Sequence, residues 1–110
     1  MRHQLVRSLV LHFAEHAGYV GPIRVFTRIE TFERIRRRRG YSDPTNEHQD
    51  LGATLTGRPP AVLINIALHQ TVYSLIRTCA HEAVHVADPD LQHGPEFYRR
   101  VRRLVRGGRL

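Results

Sequence analysis

The chain has one cysteine, no tryptophan and no lysine, and it contains no long apolar run. A single cysteine, Cys79, excludes an internal disulfide and leads us to expect a reducing, cytoplasmic setting. No stretch approaches the roughly 20 apolar residues that span a bilayer, so no membrane partner is expected. With no lysine, the positive charge is all arginine: seventeen of them set against ten acids give a net charge of +7. Two readings of that bias stand side by side. One is a coding preference for arginine. The other is a polyanion partner, DNA included, because the guanidinium fork matches phosphate oxygens.

At 110 residues and 41% hydrophobic, the chain suffices for one domain with a modest core. Residues 1–110 show no internal repeat and no second domain, and a monomer is expected. The opening "MRHQLVRSLVLHFAEHAG" resembles a secretory leader at first sight. Arg7, His12 and Glu15 interrupt its apolar stretch, and Leu5, Val6, Leu9, Val10, Phe13 and Ala17 recur at helical spacing. It therefore reads as a folded amphipathic helix over residues 2–17, stopped by Gly18.

"IRVFTRIE", from Ile23 to Glu30, alternates as a strand does. "RIRRRRGYSDPTNEHQD" offers no burial pattern and reads as a long loop. "LGATLTG" is a short candidate strand, and "AVLINIAL" an apolar run buried on at least one face. From Gln70 the period becomes helical, with Val72, Leu75, Ile76, Cys79, Ala80, Ala83, Val84 and Ala87 on one broad face until Asp88-Pro89 ends it. Pro95 opens a last helix with Phe97, Val101, Leu104 and Val105 on its apolar side. The order predicts an α+β domain: an N-terminal helix, a small three-stranded antiparallel or mixed sheet, and two closing helices.

Chemistry concentrates in "CAHEAVHVADPDLQHGPEF", residues 79–97. His81 and His85 are four apart on a helix, so they share a face with Cβ atoms about 5–6 Å apart, a spacing that suits two imidazole ligands to one ion. Glu82 lies beside them, where a carboxylate can take a proton from a water on that ion and return it to a leaving amine. This is the HExxH arrangement of zinc peptidases. The small or apolar residues around it, Ala80, Ala83, Val84 and Val86, suit a buried helix rather than an exposed histidine pair. A catalytic zinc takes three protein ligands and leaves one position open. Asp88, Asp90, His93 and Glu96 are the candidates for the third. His93 is preferred because a turn reverses the chain before it and Gly94 beside it lets the backbone come close; Glu96 is the rival.

"HEAVH…HGPEF" resembles the SprT-like zinc metalloproteases, which include the Spartan proteases of DNA–protein crosslink repair. The likeness spans residues 51–105 and, more loosely, the first helix. It implies a zinc peptidase with His81, His85 and His93 as ligands, Glu82 as catalytic base, and Phe97 packing the last helix on the one before. It implies a protein or peptide substrate lying by strand addition along "AVLINIAL", which resembles the family's edge strand. Within these residues there is no zinc ribbon of the kind larger members carry, so the stretch corresponds to a bare catalytic domain like the single-domain minigluzincins. Two other functions fit the same residues. One is a basic, zinc-stabilised module that binds nucleic acid with Glu82 idle. The other is a regulatory, antirepressor-type HExxH peptidase.

Several residues have plain readings beside functional ones. His48 and His69 read as surface or capping residues, with His69 also a candidate to line the cleft. His3, His12 and His16 read as a solvated face, and Cys79 as a small core residue. Tyr98 is a packing residue or a hydrogen-bond donor to a developing oxyanion. Glu96, beyond its rival claim as a ligand, is a helix-first-turn acid or orients a ligand. Arg36 to Arg39 read as a solvated loop or a phosphate contact. Arg99, Arg100, Arg102, Arg103 and Arg106 flank the last helix as a second basic surface.

Overall fold

The computed structural model describes residues 2–40 and 51–107. Chain order is helix α1 (Arg2–His16), strand β1 (Arg24–Phe26), helix α2 (Ile29–Arg38), strands β2 (Gly52–Leu55) and β3 (Ala61–Ile64), a 3-10 turn (Ile66–Leu68), and helices α3 (Val72–Ala87) and α4 (Pro95–Gly107). The fold is α+β with a three-stranded mixed sheet, ordered β1-β3-β2. β1 runs parallel to β3 and β2 antiparallel to it.

α1 ends as its sequence predicts. Gly18 has φ +98°, its N–H reaches the carbonyl of Glu15 at 3.0 Å, and the Tyr19 N–H reaches that of Ala14 at 2.9 Å. This pair of bonds satisfies the last carbonyls and needs the left-handed conformation that glycine adopts freely. Val6, Leu9, Val10, Phe13 and Ala14 are buried on α1, whereas Leu5 is exposed.

The middle of the chain differs from its sequence reading in two ways. The strand predicted through Glu30 stops at Phe26, and residues 29–38, expected to be strand and then loop, form α2. Ile29, Phe32 and Ile35 recur at three-residue steps; Ile29 and Phe32 pack with Phe26, Ala53, Leu55, Ala61 and Leu63 of the sheet, and Ile35 is buried. Charge masked this pattern: Arg36 is itself buried, its Nε donating to Glu33 Oε2 at 3.0 Å one helical turn earlier. Arg39 Nη2 donates to the Pro59 carbonyl at 2.6 Å. Half of the four-arginine block thus serves the fold. The rest of the predicted loop, with its turn at "SDP" and His48, lies outside the described residues.

Covered on both faces, β3 is buried at all four residues. Ala61 and Leu63 face α2, while Val62 and Ile64 join the larger core under α1, α3 and α4. That explains an apolar run without alternation. It also corrects the expected substrate strand: β3 is the central strand, paired on both sides, and cannot accept another. The edge strand beside α3 is β2. Across the β2–β3 register, Gly52 pairs with Ile64 and Thr54 with Val62. Gly52 and Thr54 therefore face α3, and Ala53 and Leu55 face α2.

α3 is the hub. Thr71 caps it, accepting the Ser74 N–H at 3.0 Å, and Asp88 ends it. It packs against α1, α4, β2 and β3, so it buries Leu75, Thr78, Cys79, Ala80, Glu82, Ala83, Val84 and Val86, wider than a single stripe. Val72, expected on the apolar face, is exposed at its first turn. No helix among the described residues is long and apolar enough to cross a membrane.

Candidate metal centre

His81 and His85 project from one face of α3 with ring centroids 4.9 Å apart. The turn after Pro89 brings His93 back to them, its ring centroid 5.0 Å from His81 and 4.8 Å from His85. One ligand atom from each of the three lies within 4.8 Å of the others, the one such histidine, cysteine or carboxylate group among the described residues. The Nε2 atoms of His85 and His93 point at each other across 2.8 Å. Tetrahedral ligands at about 2.0–2.1 Å from one ion stand about 3.3 Å apart, against 2.8 Å between His85 and His93 and no more than 4.8 Å within the cluster. The donor set fits zinc.

Phe97 forms the floor of this group. Fully buried in the first turn of α4, its ring centroid lies 4.7 Å from His81, 4.7 Å from His85 and 4.8 Å from His93. One phenyl ring thus fixes the backs of all three imidazoles besides packing α4 on α3. Burial lowers the His81 pKa to about 4, helped by repulsion between its charged form and those of His85, His93 and Arg77, and burial followed by repulsion from His93 lowers that of His85. Both rings are thereby held neutral at physiological pH, the form that ligates metal.

Glu82 is buried between α3 and β2. Thr54 Oγ1 donates to its Oε1 at 2.8 Å, and its Oε2 lies 4.0 Å from His81 Nε2. The carboxylate therefore stands next to the imidazole cluster with one oxygen held by the edge strand. The strip Gly52, Ala53, Thr54 and Thr56 forms one side of an open cleft, and His81, Glu82, His85, Pro89 and His93 form the other.

Glu96, the rival ligand, points elsewhere. Its carboxylate pairs with Arg99 at 2.8 Å and Arg100 at 3.1 Å, and Arg100 also reaches Asp88 at 3.3 Å. The Arg100 hydrogen bond and then the charge of Arg99 hold its pKa below the usual carboxylate value. Tyr98 packs beside the site, its ring centroid 6.2 Å from His81 and 6.1 Å from His93. His69 is a brace and lines no part of the cleft: Nδ1 lies 2.8 Å from Ser74 Oγ, and Nε2 lies 3.2 Å from the Leu51 carbonyl. His12 is half-buried with Nε2 lacking a partner, so it does not lie on a solvated face. Cys79 is fully buried and its thiol is pushed up to about 12, by burial and then by Glu82, which makes it an inert core residue.

Gly52 and Thr54 are absent from the sequence-based site, although a glycine inside a strand signals a close approach. A Cβ on Gly52 would stand 2.9 Å from Thr78 Cγ2, 3.0 Å from Glu82 Oε2 and 3.0 Å from the Leu63 carbonyl. Gly52→Ala must therefore shift the neighbouring strand or the carboxylate. We expect a loss of about 1–3 kcal/mol of stability by urea unfolding, as for other overpacked interiors. Unchanged stability would show that β2 has room that the geometry denies. Gly94 has no such constraint: among the described residues only the Gln92 carbonyl, at 3.9 Å, approaches its Cβ position.

Comparison of the chain with protein-family models, with curated proteins and with solved structures gave no match.

Proposed function

We propose that this chain is a zinc-dependent metallopeptidase that cleaves extended protein segments, the activity implied by its resemblance to the SprT-like proteases. The observation that supports this most is the convergence on one cleft of three imidazoles, a buried carboxylate and a strand edge. His81, His85 and His93 hold the ion, and three imidazoles suit zinc. Zinc held there would supply Lewis acidity towards a carbonyl and would make a coordinated water more acidic. Glu82 accepts the proton of the attacking water and passes it to the leaving amine. Thr54 keeps one Glu82 oxygen occupied, which aims the other at the cluster.

The substrate adds as a strand to the outer edge of β2, which pairs with no strand among the described residues. Main-chain hydrogen bonds along Gly52–Leu55 carry the peptide past Glu82 and the imidazoles. Folded proteins do not offer such a strand, so flexible or unfolded segments are the substrate class. A purely structural zinc site closes its coordination with four protein ligands. The three-ligand cluster and the adjacent Glu82 favour the peptidase over a zinc-stabilised binding module.

Removal of the metal tests this reading. Dialysis against a chelator is expected to abolish cleavage of an unfolded casein-like protein, and one equivalent of zinc to restore it. Cleavage that persists in zinc-free protein would overturn the proposal.

A further inference from the structure

α4 carries its charge in a row. Arg99, Arg102, Arg103 and Arg106 stand at i, i+3, i+4 and i+7, so they share one helical face. All four are exposed, and with Gly107 they line one shallow depression. The apolar residues of the same helix, Phe97, Val101, Leu104 and Val105, are buried opposite them. Along the axis the row covers about 10 Å, at about 1.5 Å per residue.

Little among the described residues neutralises this row. Glu96 is the one acid of α4. It pairs with Arg99 at 2.8 Å, but both side chains are about half exposed, and such a pair holds weakly. Arg102, Arg103 and Arg106 make no ion pair among the described residues. Like charges at three- and four-residue spacing destabilise a helix, so the row opposes folding unless something anionic binds it.

We propose that this face of α4 docks the phosphodiester backbone of nucleic acid. Guanidinium forks bind phosphate oxygens in pairs, and the spacing presents several at once. The face favours a nucleic acid over other polyanionic partners because of what it omits. A membrane-surface helix sets apolar side chains beside its charges for insertion, and a protein hot spot needs an aromatic or aliphatic anchor. Neither stands between these arginines. The row also lacks asparagine, glutamine and aromatic residues, so it can grip a backbone without reading or stacking bases. Binding is therefore indifferent to sequence. The proposal stands independently of the peptidase reading, and it places the docking face on α4 rather than on the arginine block of α2, where Arg36 and Arg39 are engaged within the fold.

The test is a salt titration of a labelled 20-base-pair duplex, in two unrelated sequences, against the wild type and the triple variant Arg102→Gln, Arg103→Gln, Arg106→Gln. Both sequences are expected to bind alike. The slope of log K against log salt is expected to flatten by about 2.7 in the triple variant, at about 0.9 for each phosphate that no arginine neutralises any longer. Circular dichroism checks that the variant is folded; should it not fold, Arg102→Gln and Arg106→Gln singly should each flatten the slope by about 0.9. Arg37→Gln with Arg38→Gln, exposed on α2, serves as the charge control and should leave the slope nearly unchanged. Three results would overturn the proposal: no duplex binding at low salt, an equal flattening in the α2 control, or capture by anionic phospholipid vesicles without duplex binding.

Discussion

Glu82→Gln is expected to lower cleavage of an unfolded protein by about 10²–10⁴-fold, the usual loss on removing a general base, while zinc content and fold stay as in the wild type. The expectation follows from where the carboxylate sits. Glu82 is buried, and its Oε1 accepts a hydrogen bond from Thr54 at 2.8 Å. Glutamine keeps the length of the side chain and offers a carbonyl oxygen to the same hydroxyl, so β2 and α3 remain joined. The variant loses the carboxylate that takes the proton. Glu82 is outside the ligand cluster, so metal affinity is preserved. The assay needs a flexible substrate, because the proposed reaction requires a chain that can lie extended along β2. Comparable cleavage by the two proteins would mean that Glu82 does no proton transfer, and that the activity belongs to another protease in the preparation.

The second large effect concerns the metal itself. His81→Ala, His85→Ala and His93→Ala are each expected to weaken zinc binding by more than the 10–100-fold that follows loss of an outer-sphere partner. Competition with a chromophoric chelator measures this directly. Glu96→Ala should bind zinc as the wild type does, since its carboxylate is engaged by Arg99 and Arg100. His69→Ala should also retain zinc, because that ring braces Leu51 against Ser74 away from the cleft. Normal zinc binding by His93→Ala together with its loss in Glu96→Ala would reverse the choice of third ligand.

The site was legible because its chemistry is written at helical spacing. Two histidines four apart, a glutamate between them and an apolar setting need only α3 to form. His93 required one further idea, a turn that reverses the chain before Pro95 starts a helix. The helices α1, α3 and α4 were equally readable, each having an apolar period and an identifiable stop or start. α2 was not, because arginines occupy most of its last turns and one of them, Arg36, is buried against Glu33. A residue-by-residue polarity pattern cannot show that an ion pair one helical turn long has removed a charge from solvent.

Sheet order was the other hidden quantity. β3 is apolar throughout, and that pattern says it is buried without saying which strand lies on either side. Only the parallel pairing with β1 and the antiparallel pairing with β2 make it central and leave β2 on the cleft. The roles of Gly52 and Thr54 depend on that order. They reach Glu82 across 30 and 28 residues of chain, through an approach that no local spacing encodes.

One ion held by three imidazoles beside Glu82 is the central claim, and diffraction from zinc-loaded crystals, recorded on both sides of the zinc absorption edge, tests it most directly. The expected result is a single anomalous peak about 2.0–2.1 Å from a ring nitrogen of each of His81, His85 and His93, with no fourth protein ligand. A peak bound elsewhere, coordination closed by a fourth side chain, or no peak at full zinc loading would contradict it.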